Sequence, residues 1–349
     1  MSTEATIASA AARRDHRARR ALRLALGTAL SLTISFGFQW PIPMVAPVLA
    51  VFLFASLDRP VTAKAALAMA VLVALTTASG LLLVPFLLYA SLSGVLMAGL
   101  ALFLAFRYGL RGGNNLVATF LAAGIALIPV AGTLDTGLAL SVIGALARGL
   151  LLGALALNVC HWLIPDRDAS PPAARPAVSA HDADRMAWRA TLVVMPAFLL
   201  ALTDPASYLP IIMKAVSLGR QSCTTARSAA MELLGSTLLG GLLAIVFWFA
   251  LGLFVHLWMF FLWTLLFALV IARRLYAIRP TRATPGFWLN SLVTLIILLG
   301  QSVEDSAAGK DVYRAFAIRM GLFIGVSLYA VVMLRWLDRR RTAPVGAST

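Results

Sequence analysis

The fold follows from the segment ALRLALGTALSLTISFGFQ, residues 21–39, which comes directly after the basic segment RRDHRARR at residues 13–20. A helix needs about 20 predominantly apolar residues to cross a bilayer, and this segment has that length. It is too long for the apolar part of a secretory signal peptide, and no small-x-small cleavage site ends it. The sequence therefore predicts an uncleaved first membrane helix that follows a positively charged N-terminus.

The composition of the whole chain agrees with that prediction. Its 349 residues are 61% hydrophobic and 12% charged, and the mean hydropathy is +0.90. A soluble domain is about half apolar and about a quarter charged, so this chain has too little polar surface for a water-facing globule. It also has too few charges for a disordered protein. We therefore expect an all-α polytopic membrane protein.

Apolar runs separated by Pro, Gly or charged residues predict about 12 transmembrane helices. The predicted spans are residues 21–39, 43–57, 64–84, 86–106, 114–130, 138–163, 188–203, 205–218, 227–249, 253–272, 285–301 and 312–337. With the N-terminus in the cytoplasm, most of the 29 Lys and Arg residues fall on the inside, and only Lys310 and Arg314 lie in outside loops. Basic residues concentrate in cytoplasmic loops, so both termini are predicted to be cytoplasmic.

The remaining composition excludes several classes of function. A net charge of +15 would indicate nucleic-acid binding in a soluble protein, but in so apolar a chain it marks loops that face an anionic leaflet, and no nucleic-acid partner is predicted. Cys160 and Cys223 lack the spacing of a metal site or a disulfide framework. Phosphate-binding Gly–Lys loops, HExxH and GxSxG are absent from the sequence, so no cofactor and no enzymatic activity are predicted.

The polar segment at residues 165–186, which contains Asp-Arg-Asp and Ser-Pro-Pro, predicts a flexible cytoplasmic linker. The expected domains are a basic N-terminus (residues 1–20), a first six-helix repeat (21–164), this linker, a second six-helix repeat (187–337) and a cytoplasmic tail (338–349). Two repeats with six spans each insert in the same orientation, which predicts a pseudo-two-fold axis along the membrane normal.

Landmarks in the same order support this duplication, although chance similarity between Leu/Ala-rich helices is the alternative. The matched residues are Arg23 with Arg189, Pro47 with Pro210, Asn114 with Asn290, and Arg148 with Arg319. The prolines fall in short, interrupted spans, and such spans at corresponding positions of two repeats indicate a substrate path. Kinked packing helices would give the same pattern. Gly149 with Gly153 and Gly321 with Gly325 are GxxxG pairs that predict close helix packing.

Arg148 and Arg319 are the most informative charges because they lie inside predicted spans. Arg148 is roughly 15 Å deep in its helix, where an unpaired charge is costly. Two such arginines near the axis between the repeats would form an anion site, since a guanidinium binds a carboxylate through two hydrogen bonds. The alternative is that each arginine pairs with an outer-loop acid such as Asp135, Glu304 or Asp305, or with backbone carbonyls.

Lys214 and Glu232 flank the turn between predicted helices 8 and 9, a few residues inside the cytoplasmic interface. The two side chains form an ion pair in one alternative. In the other, Lys214 extends toward the lipid headgroups. Glu232 is the only acid inside a predicted span, so it is the candidate for proton coupling.

The opening of the chain resembles the fusaric acid resistance and aromatic acid exporter family. The resemblance lies in RALRLALGTALSL at residues 20–32, the Trp-Pro turn at residues 40–41, APVLAV at residues 46–51 and RGLLLG at residues 148–153. It implies a bacterial inner-membrane transporter that exports aromatic carboxylic acids with the proton gradient, together with a periplasmic membrane-fusion adaptor and an outer-membrane channel. Family members carry a large cytoplasmic domain that this compact chain lacks, which leaves the substrate open.

Distant relatives of that family, the plant malate channels, line an anion pore with basic residues between six-span subunits, which implies a homo-oligomer as a further arrangement. Three alternatives to an organic-anion exporter stay open on the residues alone. The first is a major-facilitator transporter, whose loop signature Asp58-Arg59 matches only in part, because its flanking glycines are absent and Pro60 follows. The others are a passive anion channel and a non-transporting scaffold subunit.

Overall fold

The computed structural model describes residues 2–165, 180–205, 216 and 229–339, and within these ranges every regular element is helical. The α-helices are α1 (Ser2–Gly37), α2 (Val45–Ser56), α3 (Ala63–Ala78), α4 (Val84–Tyr89), α5 (Ser91–Leu110), α6 (Asn115–Leu134), α7 (Thr136–Leu163), α8 (Ala180–Thr203), α9 (Ala229–Leu253), α10 (Leu257–Leu275), α11 (Pro285–Ala307) and α12 (Val312–Arg339). A 3₁₀ turn at Ser79–Leu83 joins α3 to α4.

Within the described ranges, nine helical segments are long and apolar enough to cross a membrane. Apart from α1 and α2, each helix belongs to one of them, with α3, the 3₁₀ turn and α4 forming one continuous segment from Ala63 to Tyr89. The expectation of an all-α, multi-pass membrane protein is therefore confirmed at this level. The division into about 12 spans and the layout as two parallel repeats stay predictions.

Several predicted span boundaries are wrong. The predicted span 43–57 contains only the short helix α2, because prolines and a left-handed turn precede it. The break predicted near residue 85 lies at Ala90 instead, because the 3₁₀ turn continues the helical path. The span predicted at 285–301 extends to Ala307, which places Glu304 and Asp305 inside a helix rather than in an outer loop.

The described chain forms two compact units, each assembled from separate stretches of sequence. The first unit comprises Met1–Ala74, Gly144–Arg175 and Leu238–Phe316, and the second comprises Leu75–Ile143, Pro176–Thr237 and Ala317–Thr349. The predicted repeats at residues 21–164 and 187–337 follow the sequence instead, and they stay a prediction.

Small residues allow the helices of the first unit to approach closely. α1 packs on α2 and α10, and α11 packs on α10 and α2. Gly27 of α1 faces the Phe54 ring so closely that a Cβ there would overlap it. Gly149 and Gly153 of α7 lie against the backbone of α2, so the close packing predicted for this GxxxG pair is confirmed, with α2 as the partner.

The second unit has its core between α5, α6 and α8. Buried side chains from the three helices meet there, among them Leu102, Phe106, Ile125, Val194 and Phe198. The GxxxG pair of α12 differs from that of α7, because a Cβ at Gly321 or Gly325 would meet no heavy atom within 4 Å among the described residues. The close packing predicted for this second pair is therefore not found in the described part of the chain.

Candidate functional site

The short helix α2 is the unusual element of the first unit. Its 12 residues extend about 18 Å, whereas the hydrocarbon core of a bilayer is about 30 Å thick. Pro41 and Pro43 precede it, and Gln39 and Ile42 have φ values of 51° and 55° in the left-handed region. The chain therefore turns back sharply after α1, and α2 is a half-length segment rather than a full span.

The N-terminal end of α2 lies against the interior of two longer helices. A Cβ at Gly149 of α7 would be 3.1 Å from the Ala46 Cα, and a Cβ at Gly300 of α11 would be 2.8 Å from the Met44 Cβ. Both glycines lie within candidate membrane spans. The first turn of α2, which contains the buried Pro47, therefore lies against two candidate membrane spans, α7 and α11. A helix N-terminus carries a partial positive charge. In α2 the Val45 and Val48 N–H groups donate to the Ile42 and Met44 carbonyl oxygens, and Pro47 has no N–H, so the charge rather than free donors characterises this end.

Arg148 lies beside this end of α2, one residue before Gly149. Its Nε donates a hydrogen bond to the Gly144 carbonyl oxygen at 3.2 Å, and its guanidinium carbon lies 5.9 Å from the centroid of the Trp40 ring. The side chain is exposed, and its two terminal NH₂ groups have no partner among the described residues. The carbonyl contact agrees with one sequence-based alternative, whereas no acid pairs with Arg148 within the described chain.

The position of Arg148 makes this arrangement chemically significant. The residue is about 18 Å from the start of α7, at 1.5 Å per residue. A guanidinium at such depth is costly unless water, an anion or lipid headgroups solvate it. A carboxylate can bind to the terminal NH₂ groups of an arginine, and an aromatic ring can stack on an indole. Arg148 and Trp40 together therefore suit an aromatic carboxylate.

The C-terminal end of α2 has the opposite character, because its polar groups have partners. Asp58 follows α2 and binds the Arg20 guanidinium at 2.5 Å, and Arg20 lies 4.9 Å from the centroid of the Tyr276 ring. The Tyr276 hydroxyl donates to the Phe54 carbonyl oxygen at 3.4 Å. His161 on α7 lies with its Nε2 3.3 Å from the Asp58 carbonyl oxygen.

Two further hydrogen bonds hold the loop that follows the C-terminal end of α2. The Asn158 amide donates to the Val61 carbonyl oxygen at 2.7 Å and accepts from the Val61 N–H at 2.8 Å, so α7 clamps the loop after α2. Burial raises the pKa of the Tyr276 phenol, Arg20 opposes that shift, and Asp58 adds to it. Arg23, a predicted substrate-path residue, is buried one turn further into α1 and its charge acts on Tyr276 as well.

A row of buried polar side chains follows one face of α11, the most buried of the nine candidate spans. Its members are Asn290, Ser291, Thr294, Gln301, Ser302 and Asp305. Thr294 donates to the Asn290 carbonyl oxygen at 2.7 Å and Ser302 to the Leu298 carbonyl oxygen at 2.9 Å. Asp305 is 4% exposed, so Glu232 is not the only acid inside a span, and the outer-loop position predicted for Asp305 is wrong.

Among the described residues, the second unit contains five further residues that the sequence analysis singled out. Arg189, Glu232 and Arg319 are half-buried, and each of them has an interaction within the structure. The Asn114 side chain accepts from the Leu116 N–H at 2.9 Å and caps α6, which is a structural role. Asp135, predicted as an outer-loop acid, accepts from the Leu138 N–H at 2.9 Å at the start of α7.

Arg148 and Pro47 are the predicted site residues that the structure brings to one place, the N-terminal end of α2. Arg23 and Asn290 belong to the same unit. Lys214 and Pro210 lie outside the described residues. Arg148 and Arg319 belong to different units, and the anion site that pairs them stays a prediction.

Sequence reasoning missed Trp40, Tyr276, Asn158 and Asp305 as site residues. The signal for Asn158 was its spacing of three residues from His161, which places both on one face of α7 beside the polar loop at residues 57–62. Trp40 was visible only as a residue at a span end, since its contact with Arg148 depends on how α2 folds back.

Part of the chain is similar to a known protein family. Residues 20–160 match a family described as a protein of unknown function, DUF2955. No curated protein matches the chain. No solved structure matches it either.

Proposed function

We propose that this chain is a bacterial inner-membrane efflux transporter for organic anions, with aromatic carboxylates as the substrate class and the proton gradient as the driving force. The proposal rests on one observation above all. Inside the α7 span, Arg148 presents two NH₂ groups without a partner among the described residues, beside the Trp40 ring and the N-terminal end of α2. The sequence resemblance to the aromatic acid exporters supports the same substrate class.

The chemistry of this site matches an aromatic carboxylate in three respects. The guanidinium supplies two parallel N–H donors to the carboxylate, and the partial positive charge of the α2 N-terminus adds to the attraction. The Trp40 indole, over which the Arg148 guanidinium lies, supplies aromatic surface beside the carboxylate position. The short helix α2 begins beside two candidate spans, and short or broken helices of transporters commonly form substrate sites.

The remaining features of the proposal follow from the sequence. About 12 spans in two parallel six-helix repeats would place both termini in the cytoplasm. Arg319 would supply the second cation and Glu232 would carry the coupling proton. A periplasmic membrane-fusion adaptor and an outer-membrane channel would be the partners of the exporter.

The test measures transport in inside-out membrane vesicles, where export appears as uptake of radiolabelled 4-hydroxybenzoate. Vesicles that contain the native protein and a respiration-driven proton gradient should accumulate the acid. Arg148→Ala should abolish this accumulation, because the carboxylate loses its charged donor. Arg314→Ala is the control, since Arg314 is an exposed arginine outside this site and its removal should leave uptake unchanged. Equal uptake by the native protein and Arg148→Ala would reject the proposed site.

The coupling step has its own test in the same vesicles. Glu232→Gln should remove accumulation against a gradient, while exchange of labelled for unlabelled substrate continues. Uptake that follows the substrate gradient alone in both proteins would indicate a passive anion channel. Uptake that equals that of vesicles without the protein would indicate a scaffold subunit and overturn the proposal.

A further inference from the structure

The C-terminal end of α5, in the second unit, forms an open recess apart from the α2 site. Its volume is about 470 Å³, and its lining residues are Leu104, Arg107, Tyr108, Arg111, Gly112 and Gly113. The recess is therefore positively charged at one side and apolar at the other.

Asp184, in the first turns of α8, holds both arginines in place. Arg107 Nε lies 2.8 Å from Asp184 Oδ1, and Arg111 Nη2 lies 3.0 Å from Asp184 Oδ2. The carboxylate occupies one edge of each guanidinium. The remaining N–H groups of both arginines have no further acidic partner in the part of the chain that the structure describes. Among the described residues, two cations and one anion leave an excess positive charge at the recess.

The two glycines keep the recess open on its far side. Gly112 has a φ of 91°, which disfavours any residue with a Cβ. Gly113 donates its N–H to the Tyr108 carbonyl oxygen at 3.0 Å, and a Cβ there would be 2.5 Å from that oxygen. The turn therefore passes close to Tyr108 without placing a side chain over the arginines.

An exposed apolar stripe leads along α5 to this recess. Residues four apart on a helix lie on the same face, and the large exposed side chains of α5 repeat at that interval. They are Leu92, Leu96, Leu100, Leu104 and Tyr108. The stripe is about 24 Å long, which is most of the thickness of the hydrocarbon core. A lipid acyl chain on this stripe would have its headgroup at Arg107 and Arg111.

We propose that this recess binds the headgroup phosphate of an anionic phospholipid of the phosphatidylglycerol type, with an acyl chain along the α5 stripe. The ligand is recognised by charge at the arginines and by apolar contact at Leu104. Arginine guanidinium groups bind phosphate oxygens through paired hydrogen bonds. Asp184 pre-orders the two arginines, so little side-chain entropy is lost when the lipid binds. The site does not depend on the proposed transport function.

The experiment measures lipid binding to the detergent-purified full chain by native mass spectrometry. Phosphatidylglycerol is compared with phosphatidylcholine of the same acyl chains, and inorganic phosphate serves as a competitor. The native protein should retain phosphatidylglycerol in preference. Arg111→Gln should weaken that binding about tenfold, the loss expected for one charge-assisted contact. Arg273→Gln, which removes an exposed arginine at the end of α10, should not.

A second variant leaves the arginine–aspartate pairs intact and separates a lipid from a free phosphate. Leu104→Glu should also weaken phosphatidylglycerol binding about tenfold, because it places a carboxylate between the acyl chain and the arginines. Leu92→Glu, at the far end of the same stripe, is its control. Four results would each overturn the proposal. Two of them are equal binding of the two lipids and equal losses for Arg111→Gln and Arg273→Gln. The others are full displacement of the lipid by inorganic phosphate and unchanged lipid binding in Leu104→Glu.

Discussion

The arginines at the two ends of α2 differ in their interaction partners. At the C-terminal end, Arg20 binds Asp58 at 2.5 Å and stacks on Tyr276. At the N-terminal end, Arg148 makes one hydrogen bond to a backbone carbonyl, and no acid pairs with it among the described residues. Both ends belong to the same unit and border the same 12-residue helix.

This difference indicates a structural role for the C-terminal end of α2 and a binding role for its N-terminal end. A paired cation at the C-terminal end contributes to the attachment of α1, α10 and the loop after α2. A guanidinium inside a span that has no acidic partner in the described chain gains nothing for stability, since its solvation must come from elsewhere. Retaining such a charge is advantageous only where an anion, water or headgroups reach it. One end of α2 is therefore structural, and the other is suited to binding.

The largest effect is expected from filling the contact that positions Arg148. Gly149→Leu would place its side chain against the Ala46 backbone, where even a Cβ lies only 3.1 Å from Ala46 Cα. We expect the free energy of unfolding to fall by about 3 kcal/mol, at the upper end of the cost of overpacking. Unfolding of the purified protein in mixed detergent–denaturant micelles measures the change.

Gly321→Leu is the matched control for this substitution. It alters the first glycine of the other GxxxG pair, where a Cβ would meet no described atom within 4 Å. A substitution away from close contacts changes stability by about 0.5 kcal/mol or less. Equal losses in both variants would show that the α12 pair is packed as tightly as the α7 pair, and the asymmetry between the two helices would disappear.

The second expected effect concerns the geometry of Arg148 rather than its charge. Arg148→Lys keeps the charge but removes the paired N–H donors, so we expect KM for 4-hydroxybenzoate to rise about tenfold with a smaller change in kcat. Arg319→Lys should change KM less than about threefold, because Arg319 already has an interaction within the structure. Initial rates in inside-out vesicles measure both. Equal effects would support the symmetric pair that the sequence predicts.

Much of the fold could be predicted because hydropathy alone identifies long apolar helices. The span predicted at residues 138–163 agrees with α7 at Thr136–Leu163, and the one at 312–337 with α12 at Val312–Arg339. The prediction was wrong where local geometry decides the result. The sequence predicts residues 43–57 as a short span interrupted by prolines, but hydropathy does not show the left-handed turn at Gln39–Ile42 that precedes α2 and limits it to 12 residues.

The candidate site was predictable only in part. Arg148 was found because charge inside an apolar run is costly and visible in the sequence. Its partner Trp40 was not found, because the contact arises when α2 folds back and brings the α1–α2 turn to α7. The sequence predicts a loop at Asp305 because polar residues around it end the apolar run, whereas in the structure the helix continues and buries it.

The smallest expected effect concerns Tyr276 at the C-terminal end of α2. It tests whether this phenol is shielded from water in the folded protein. Burial raises the pKa of the Tyr276 phenol above its ordinary value of about 10, and Asp58 raises it further while Arg20 lowers it. The folded protein therefore keeps this proton at pH values where the unfolded chain has lost it. The resulting contribution to stability is complete below about pH 10 and is lost as the pH rises through the folded-state pKa.

Tyr276→Phe should remove this pH dependence at a cost of about 0.5 kcal/mol, since the hydroxyl makes one long hydrogen bond to the Phe54 carbonyl oxygen. The measurement is the free energy of unfolding at pH 9 and at pH 11. Its decrease from pH 9 to pH 11 should be smaller in the variant than in the native protein. Tyr89→Phe, which alters a tyrosine with 88% exposure, should retain the native slope. If Tyr276→Phe also retained that slope, water would reach the phenol in the folded protein. The C-terminal end of α2 would then be open, and the contrast between its two ends would rest on Arg148 alone.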